Sequence, residues 1–565
     1  MFFSEMKYSR PDIVFLAEKC GDVEKRILNA NSCSQAEEAF LEFDTVLKNW
    51  VTNTSIAYIR HTVDTNDKFY CDEDDYINEI SPKAEELFQA VNKAVFESPF
   101  RAELELKFGS LMFQNIEISL KSFSPQIIPD MQEENRLSSE YQKLIASAQI
   151  EFDGKTLNLS QMSPYKTSAD NKIREAAWKA DGEWYRSNGE KLDDIYDKLV
   201  KCRTEQAKKL GYNDFVTLGY YRMTRNCYDK KDVEIFRNNI IKFIVPICEK
   251  LAKEKASRLG FNFPLSYSDN ALDFRSGNPR PRVSSDEILA HGKKFYHELS
   301  SETTEFIDFM YDNQLLDVLS KQGKAAGGYC TEIPDYKAPF IFANFNGTAH
   351  DVDVITHEAG HAFAFYTAKD IVPFANMSPT IESCEIHSTS MEFFAWEWAE
   401  GFFKEDAEKY RYYHLSSTLM ILPYIALVDH FQHTVYEQPS LSPAERHELW
   451  KSLVSIYMPW IKLDGSVFYG EGKAWQRQLH IYQNPFYYID YAFAITVALE
   501  FWALMQNDRK NAWERYMRLV KKAGTQTYKE LVQTAGLDTP FDEGSLKKIV
   551  DAAQIWLEKT DFSKL

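Results

Sequence analysis

Residues 351–370 read DVDVITHEAGHAFAFYTAKD. On a helix, His357 and His361 project from one face, one turn apart. That places two imidazole nitrogens where a single ion can meet both. Zinc takes such ligands at ~2.0–2.1 Å and prefers tetrahedral geometry. Glu358 stands beside them but cannot easily share the same ion, and it is better placed to hold an ion-bound water. Two ligands and a general base is the logic of the pattern HExxH.

A catalytic zinc needs a third protein ligand and one open position. HAFAFYT, which follows, lacks the glycine and third histidine of HExxHxxGxxH, so the third ligand comes from farther on. SPTIESCEIHSTSMEFFAWEWAE (378–400) opens with a Ser-Pro start signal and stays helical in pattern. Its acids are Glu382, Glu385, Glu392, Glu397 and Glu400. Glu385 and Glu392, seven apart, share a face. One can ligate while the other braces a histidine from behind. On spacing alone Glu382 serves nearly as well as Glu385.

Asp353, four before His357, either orients an imidazole or favours the helix N-terminus. Gly360 costs ~1 kcal/mol inside a helix, but its missing side chain lets the Glu385 helix approach closely. Cys384 adjoins Glu385 and points elsewhere on the helix. Sensitivity to thiol reagents is the expectation it carries. Upstream, Pro339 and the run FIFANF lead to a turn at Asn346-Gly347. This reads as a strand at a sheet edge, able to pair with an extended peptide.

Helical periodicity covers most of the remainder. Residues 34–64 read as one long amphipathic helix, with Phe40, Phe43, Val46, Leu47, Trp50 and Val51 at helical spacing. Similar patterns run over about 74–96, 99–122, 136–149, 170–210 and 230–258. EFDGKTLNLS (151–160) alternates around Asp-Gly and predicts a hairpin. SGNPRPRVSSDE (276–287) is a loop, with Ser285 or Asp286 a cap for the next helix. The fold expected is mainly α, with a small β-sheet next to the HExxH helix. A chain of 565 residues is too long for one simple core. Two lobes are expected, an N-terminal helical lobe at 1–180 and a catalytic lobe at 181–565.

Composition narrows the partners. The net charge of −19 argues against nucleic acid, because phosphate binding needs a basic face. It favours solubility and cationic ligands. No apolar run of ~18 residues predicts a membrane span, and no signal peptide is read at the start. The eight cysteines form no CxxC and read as free thiols in a reducing cytoplasm.

Near the C-terminus HIYQNPFYYIDYA offers His480, Tyr482, Tyr487, Tyr488 and Tyr491. Peptide hydrolysis puts negative charge on the carbonyl oxygen, and Tyr hydroxyl or His N–H donors aimed there stabilise it.

HEAGHAFAFY followed by SCEIHSTSMEFF resembles the oligoendopeptidase F and thimet oligopeptidase family of zinc metallopeptidases. In that family a glutamate follows the second histidine by about 25 residues, and another comes seven later. Here Glu385 lies 24 past His361, and Glu392 seven beyond it. YRMTRNCYD (221–229), GGYCTEIPDY (327–336) and WQRQLHIYQNPFYYIDYAFA (475–494) extend the likeness, which is greatest toward the shorter, Pz-peptidase-like branch. The resemblance implies one Zn2+ per chain, held by His357, His361 and Glu385, with Glu358 as base. It implies His480, Tyr487 or Tyr488, and Tyr491 facing the zinc. It further implies two helical lobes around a deep substrate channel and short unstructured peptides as substrates, cut internally by zinc-bound water: a metalloendopeptidase. Two rivals remain. A zinc aminopeptidase usually carries a glutamate 19 past the second histidine, where this chain has Thr380. A non-catalytic peptide-binding protein would not need an intact Glu358.

Overall fold

A computed structural model describes every residue except 326, 464 and 543. Helices dominate, and local chemistry sets their limits. The long helix expected at 34–64 is α1 (Cys33–Val63), capped by the Ser32 side chain on the Gln35 N–H. The 99–122 pattern is two helices, Arg101–Phe108 and Ser110–Ser122, parted by Gly109 at φ +91°. The 170–210 pattern likewise parts at Asn188, into Asn171–Ser187 and Gly189–Lys209. Apolar spacing carries across such a joint without marking it. The hairpin forms as β1 (Ile150–Phe152) and β2 (Lys155–Leu157). Its turn residues Asp153 and Gly154 both have positive φ, +52° and +69°, as a two-residue hairpin turn requires. After the 276–284 loop, the cap is Ser284 rather than Ser285 or Asp286, with Glu287 completing a capping box.

By packing, the chain forms two compact units, each drawn from three stretches. The first is Met1–Leu120, Arg280–Ala407 and Val497–Thr539; the second is Lys121–Pro279, Glu408–Thr496 and Pro540–Leu565. This interleaving differs from a single division after residue 180.

The first unit holds a sheet of β3 (Leu316–Leu319), β4 (Tyr329–Ile333) and β5 (Ala338–Phe345), in the order β3-β5-β4. β5 runs parallel to β3 and antiparallel to β4. FIFANF is therefore the central strand, not the expected edge. Phe340, Ile341, Phe342, Ala343 and Phe345 are all buried, as in a strand covered on both faces. Pro339 is tolerated near the strand start, opposite Glu332. The edge strands are β3 and β4. Next comes α2 (His350–Ala368), which packs on β4 and β5, and then α3 (Ile381–Phe394), which packs on α2. The helix α4 (Arg509–Val520) also meets α2.

In the second unit, a buried acid shows what a finished polar network looks like. Glu134 accepts hydrogen bonds from Arg203 Nε at 2.7 Å, Arg222 Nη1 at 2.9 Å and Gln206 Nε2 at 2.9 Å. Arg203, fully buried, also donates to Tyr436 Oη at 2.8 Å and to the Tyr482 carbonyl at 2.5 Å.

Candidate metal centre

The turn into α2 is fixed by Asp351, which is 1% exposed. Its carboxylate accepts the N–H groups of Asn346 at 2.9 Å and Gly347 at 2.7 Å, with Gly347 at φ +83°. The turn read from Asn346-Gly347 thus sets the angle at which α2 leaves β5. Most of the residues of this helix are buried. One turn of it is held from outside, where the Tyr296 hydroxyl donates to the Ile355 carbonyl at 3.1 Å.

Gly360 settles how near α3 can come. A Cβ there would lie 2.7 Å from Ser388 Cα and 2.9 Å from the His387 carbonyl oxygen. Only glycine allows this approach, and the approach carries Glu385 to the two histidines. Glu385 Oε2 lies 3.4 Å from His357 Nε2 and 3.7 Å from His361 Nε2. Among the described residues, His357, His361 and Glu385 are the group of three whose ligand atoms all lie within 4.8 Å of one another. Glu382, its equal by spacing, is buried one turn earlier and outside this group. The other nitrogen of His357, Nδ1, meets Glu392 Oε1 at 2.6 Å. Glu392 therefore aims the Nε2 lone pair of His357 at the shared point. Asp353 lies in the first turn of α2.

Electrostatics separate the two histidines. Burial disfavours the cation in His357, but Glu385 and Glu392 outweigh it and hold the imidazole well above the usual range. Burial, only partly opposed by Glu385, pushes His361 down to about 4. Glu358 has its carboxyl raised, chiefly by burial, with Glu385 and Glu392 adding to it. The backbone of Cys330, on the edge strand β4, opposes that shift. This influence was not foreseen from sequence, because a backbone group on a distant strand leaves no residue pattern. Ser388 was missed also: its hydroxyl donates to the Glu385 carbonyl at 3.1 Å and lies 3.4 Å from Oε2.

A cavity of about 230 Å3 opens against His361, between β4, α2 and α3. Cys330 and Cys384 line it, and burial pushes both thiols well above the ordinary cysteine range. That is the opposite of the thiolate character a reactive cysteine needs. All eight cysteines are free.

His480, Tyr487, Tyr488 and Tyr491 belong to the second unit, and there they gather. The His480 ring centroid lies 5.5 Å from that of Tyr487, 4.7 Å from Tyr488 and 6.0 Å from Tyr491. Its Nδ1 pairs with Gln478 Nε2 at 2.8 Å. Tyr482 is instead core, stacked on Tyr141 at 3.9 Å.

In this mainly helical chain two histidines and a glutamate converge as a group that could hold a metal ion. Comparison with known proteins places it more narrowly. Residues 3–123 match the peptidase M3 N-terminal domain and residues 164–551 match peptidase family M3. The chain belongs to peptidase family M3. Pz peptidase A, solved with an inhibitor, is 44% identical over 99% of this chain and 100% of that one, with TM-score 0.94. A Bacillus anthracis chain solved under the provisional name oligoendopeptidase F is 42% identical, over 100% of this chain and 99% of its own, with TM-score 0.90. Oligopeptidase PepF of Bacillus subtilis is 25% identical over 50% of this chain, a match that spans only 41% of that relative's length.

Proposed function

We propose that this protein is a zinc-dependent oligoendopeptidase that cuts internal bonds of short, unstructured peptides. The observation that carries this is the convergence of His357, His361 and Glu385 on one point, with Glu358 alongside. Two imidazoles and a carboxylate are a donor set of catalytic zinc, and the bracing of His357 by Glu392 suits a neutral ligand nitrogen. The ion, when bound, would supply a Lewis acid and bring the pKa of water to ~7.

The chain's own groups do the rest. Glu358 takes a proton from the attacking water at its carboxylate and gives it to the departing amine nitrogen. Its raised pKa brings it nearer the working pH for both transfers. His480, Tyr487 or Tyr488, and Tyr491 enter as the carbonyl-oxygen donors that the family resemblance implies. Asp353 enters as a support for the ligand helix. A cytoplasmic setting is part of the proposal, supported by eight free cysteines. Among the described residues no helix is long and apolar enough to cross a membrane.

The test is an internally quenched peptide blocked at both ends. Cleavage at an internal bond, abolished by a chelator and restored by Zn2+, is expected. Cleavage only of peptides with a free N-terminus would establish the aminopeptidase alternative. No cleavage, with no zinc in the isolated protein, would leave a peptide-binding role.

A further inference from the structure

The walls of the cavity against His361 are mostly apolar, with Ala364, Phe365, Met377 and Val520 among them. Two polar groups stand out. Glu332, on β4, has one hydrogen bond, from the Ser378 hydroxyl at 3.4 Å, and no ion pair. Burial holds its carboxyl above the usual range, and among the described residues no lysine or arginine lines the cavity. His387 is 2% exposed, and its Nε2 has no hydrogen-bond partner. An acid without a cation lines a space large enough for a long side chain, with the His387 side chain in its wall. His361 is shared: it belongs both to the three-residue ligand group and to the cavity wall. A peptide whose cut bond lies at the ligand group therefore has its adjoining side chain within reach of this space.

We propose that the cavity receives the side chain of a residue adjoining the cut bond and selects lysine or arginine there. The aliphatic stem packs on the apolar walls, and the charged tip reaches Glu332. An aspartate or glutamate in the same place meets Glu332 and is rejected. The strongly acidic balance of the chain, −19, favours the same substrates at longer range. This inference rests on the peptidase reading and deepens it.

The experiment uses the zinc-loaded full chain and end-blocked quenched peptides. They differ only at the two residues flanking the cut bond, each set in turn to Lys, Arg, norleucine or Glu. At one of the two positions, Lys and Arg should exceed norleucine by about tenfold in kcat/KM, and Glu should be the poorest. Glu332→Gln should erase the Lys preference while leaving the norleucine peptide within about twofold. Glu332→Lys should turn the preference toward Glu. An unchanged Lys-to-norleucine ratio in Glu332→Gln, with norleucine still cut, overturns the proposal. If the wild-type chain cuts none of these peptides, the peptidase reading fails, and the cavity is judged by calorimetry with the same peptides. A Lys preference in binding that Glu332→Gln removes upholds the cavity's assignment; equal binding of Lys and norleucine peptides refutes it.

Discussion

Glu134 in the second unit and Glu385 in the first are both buried acids, and their surroundings are completed differently. Around Glu134, guanidinium and amide donors point at the carboxylate, at 2.7–2.9 Å. Around Glu385, two imidazole nitrogens face the carboxylate at 3.4 and 3.7 Å. A neutral imidazole has one nitrogen that only accepts, so such atoms face one another comfortably only with a proton or cation between them. The first arrangement is closed by the chain itself and serves stability. The second is held in place by Glu392, Ser388 and the close approach at Gly360, and its groups converge on a common point.

The contrast can be broken most forcefully at Glu358. Glu358→Gln should lower turnover of a blocked peptide by about 10²–10⁴-fold, with zinc content by metal analysis unchanged. Retained turnover would remove Glu358 from the proton transfers. Glu134→Gln attacks the closed network and should destabilise the fold by about 3–5 kcal/mol in urea titrations, since Arg203 stays buried without its counter-charge. Its pH dependence has a definite sign. The folded carboxyl titrates at about 2, below its ordinary 4.5, with burial opposed and outweighed by Arg203 and Arg222. Its contribution is therefore complete above about pH 4.5 and is lost as pH falls toward about 2. The gap between wild type and variant should close over that window; a gap independent of pH would mean the charge pairing is not what stabilises.

Smaller effects sharpen the picture. Glu392→Gln should weaken zinc affinity by about 10–100-fold, measured by competition with a chelator, without unfolding the chain. Gly360→Ala should cost about 1–2 kcal/mol, because the clash with Ser388 and the His387 carbonyl exceeds the helix propensity gained. Wild-type melting temperature and wild-type zinc affinity in that variant would show that α2 and α3 can part without consequence.

Much of this was legible in the chain. The spacing of His357 and His361, the Asp153-Gly154 hairpin and the 33–63 helix follow from local rules that act within a few residues. The choice between Glu382 and Glu385 did not, because they lie three apart on one helix and only packing against α2 separates them. Nor did the order of the sheet: apolar residues on both faces of FIFANF mark a covered strand, but Pro339 pulled the reading toward an edge. The hydrogen-bond partner of Glu332 comes from a residue far along the chain, so no local pattern announces it.

β4 joins two of these features. Its side chains repeat every two residues, so Cys330 and Glu332 share a face; both, with Thr331 between them, line the cavity beside His361. The backbone of one lowers the pKa of Glu358, and the side chain of the other is the acid that lacks an ion pair. Inserting or deleting a single residue in this strand would slide its register and turn both away together. Under the proposed reading, variation in the preferred side chain is therefore tolerable here by substitution, but not by changes in length.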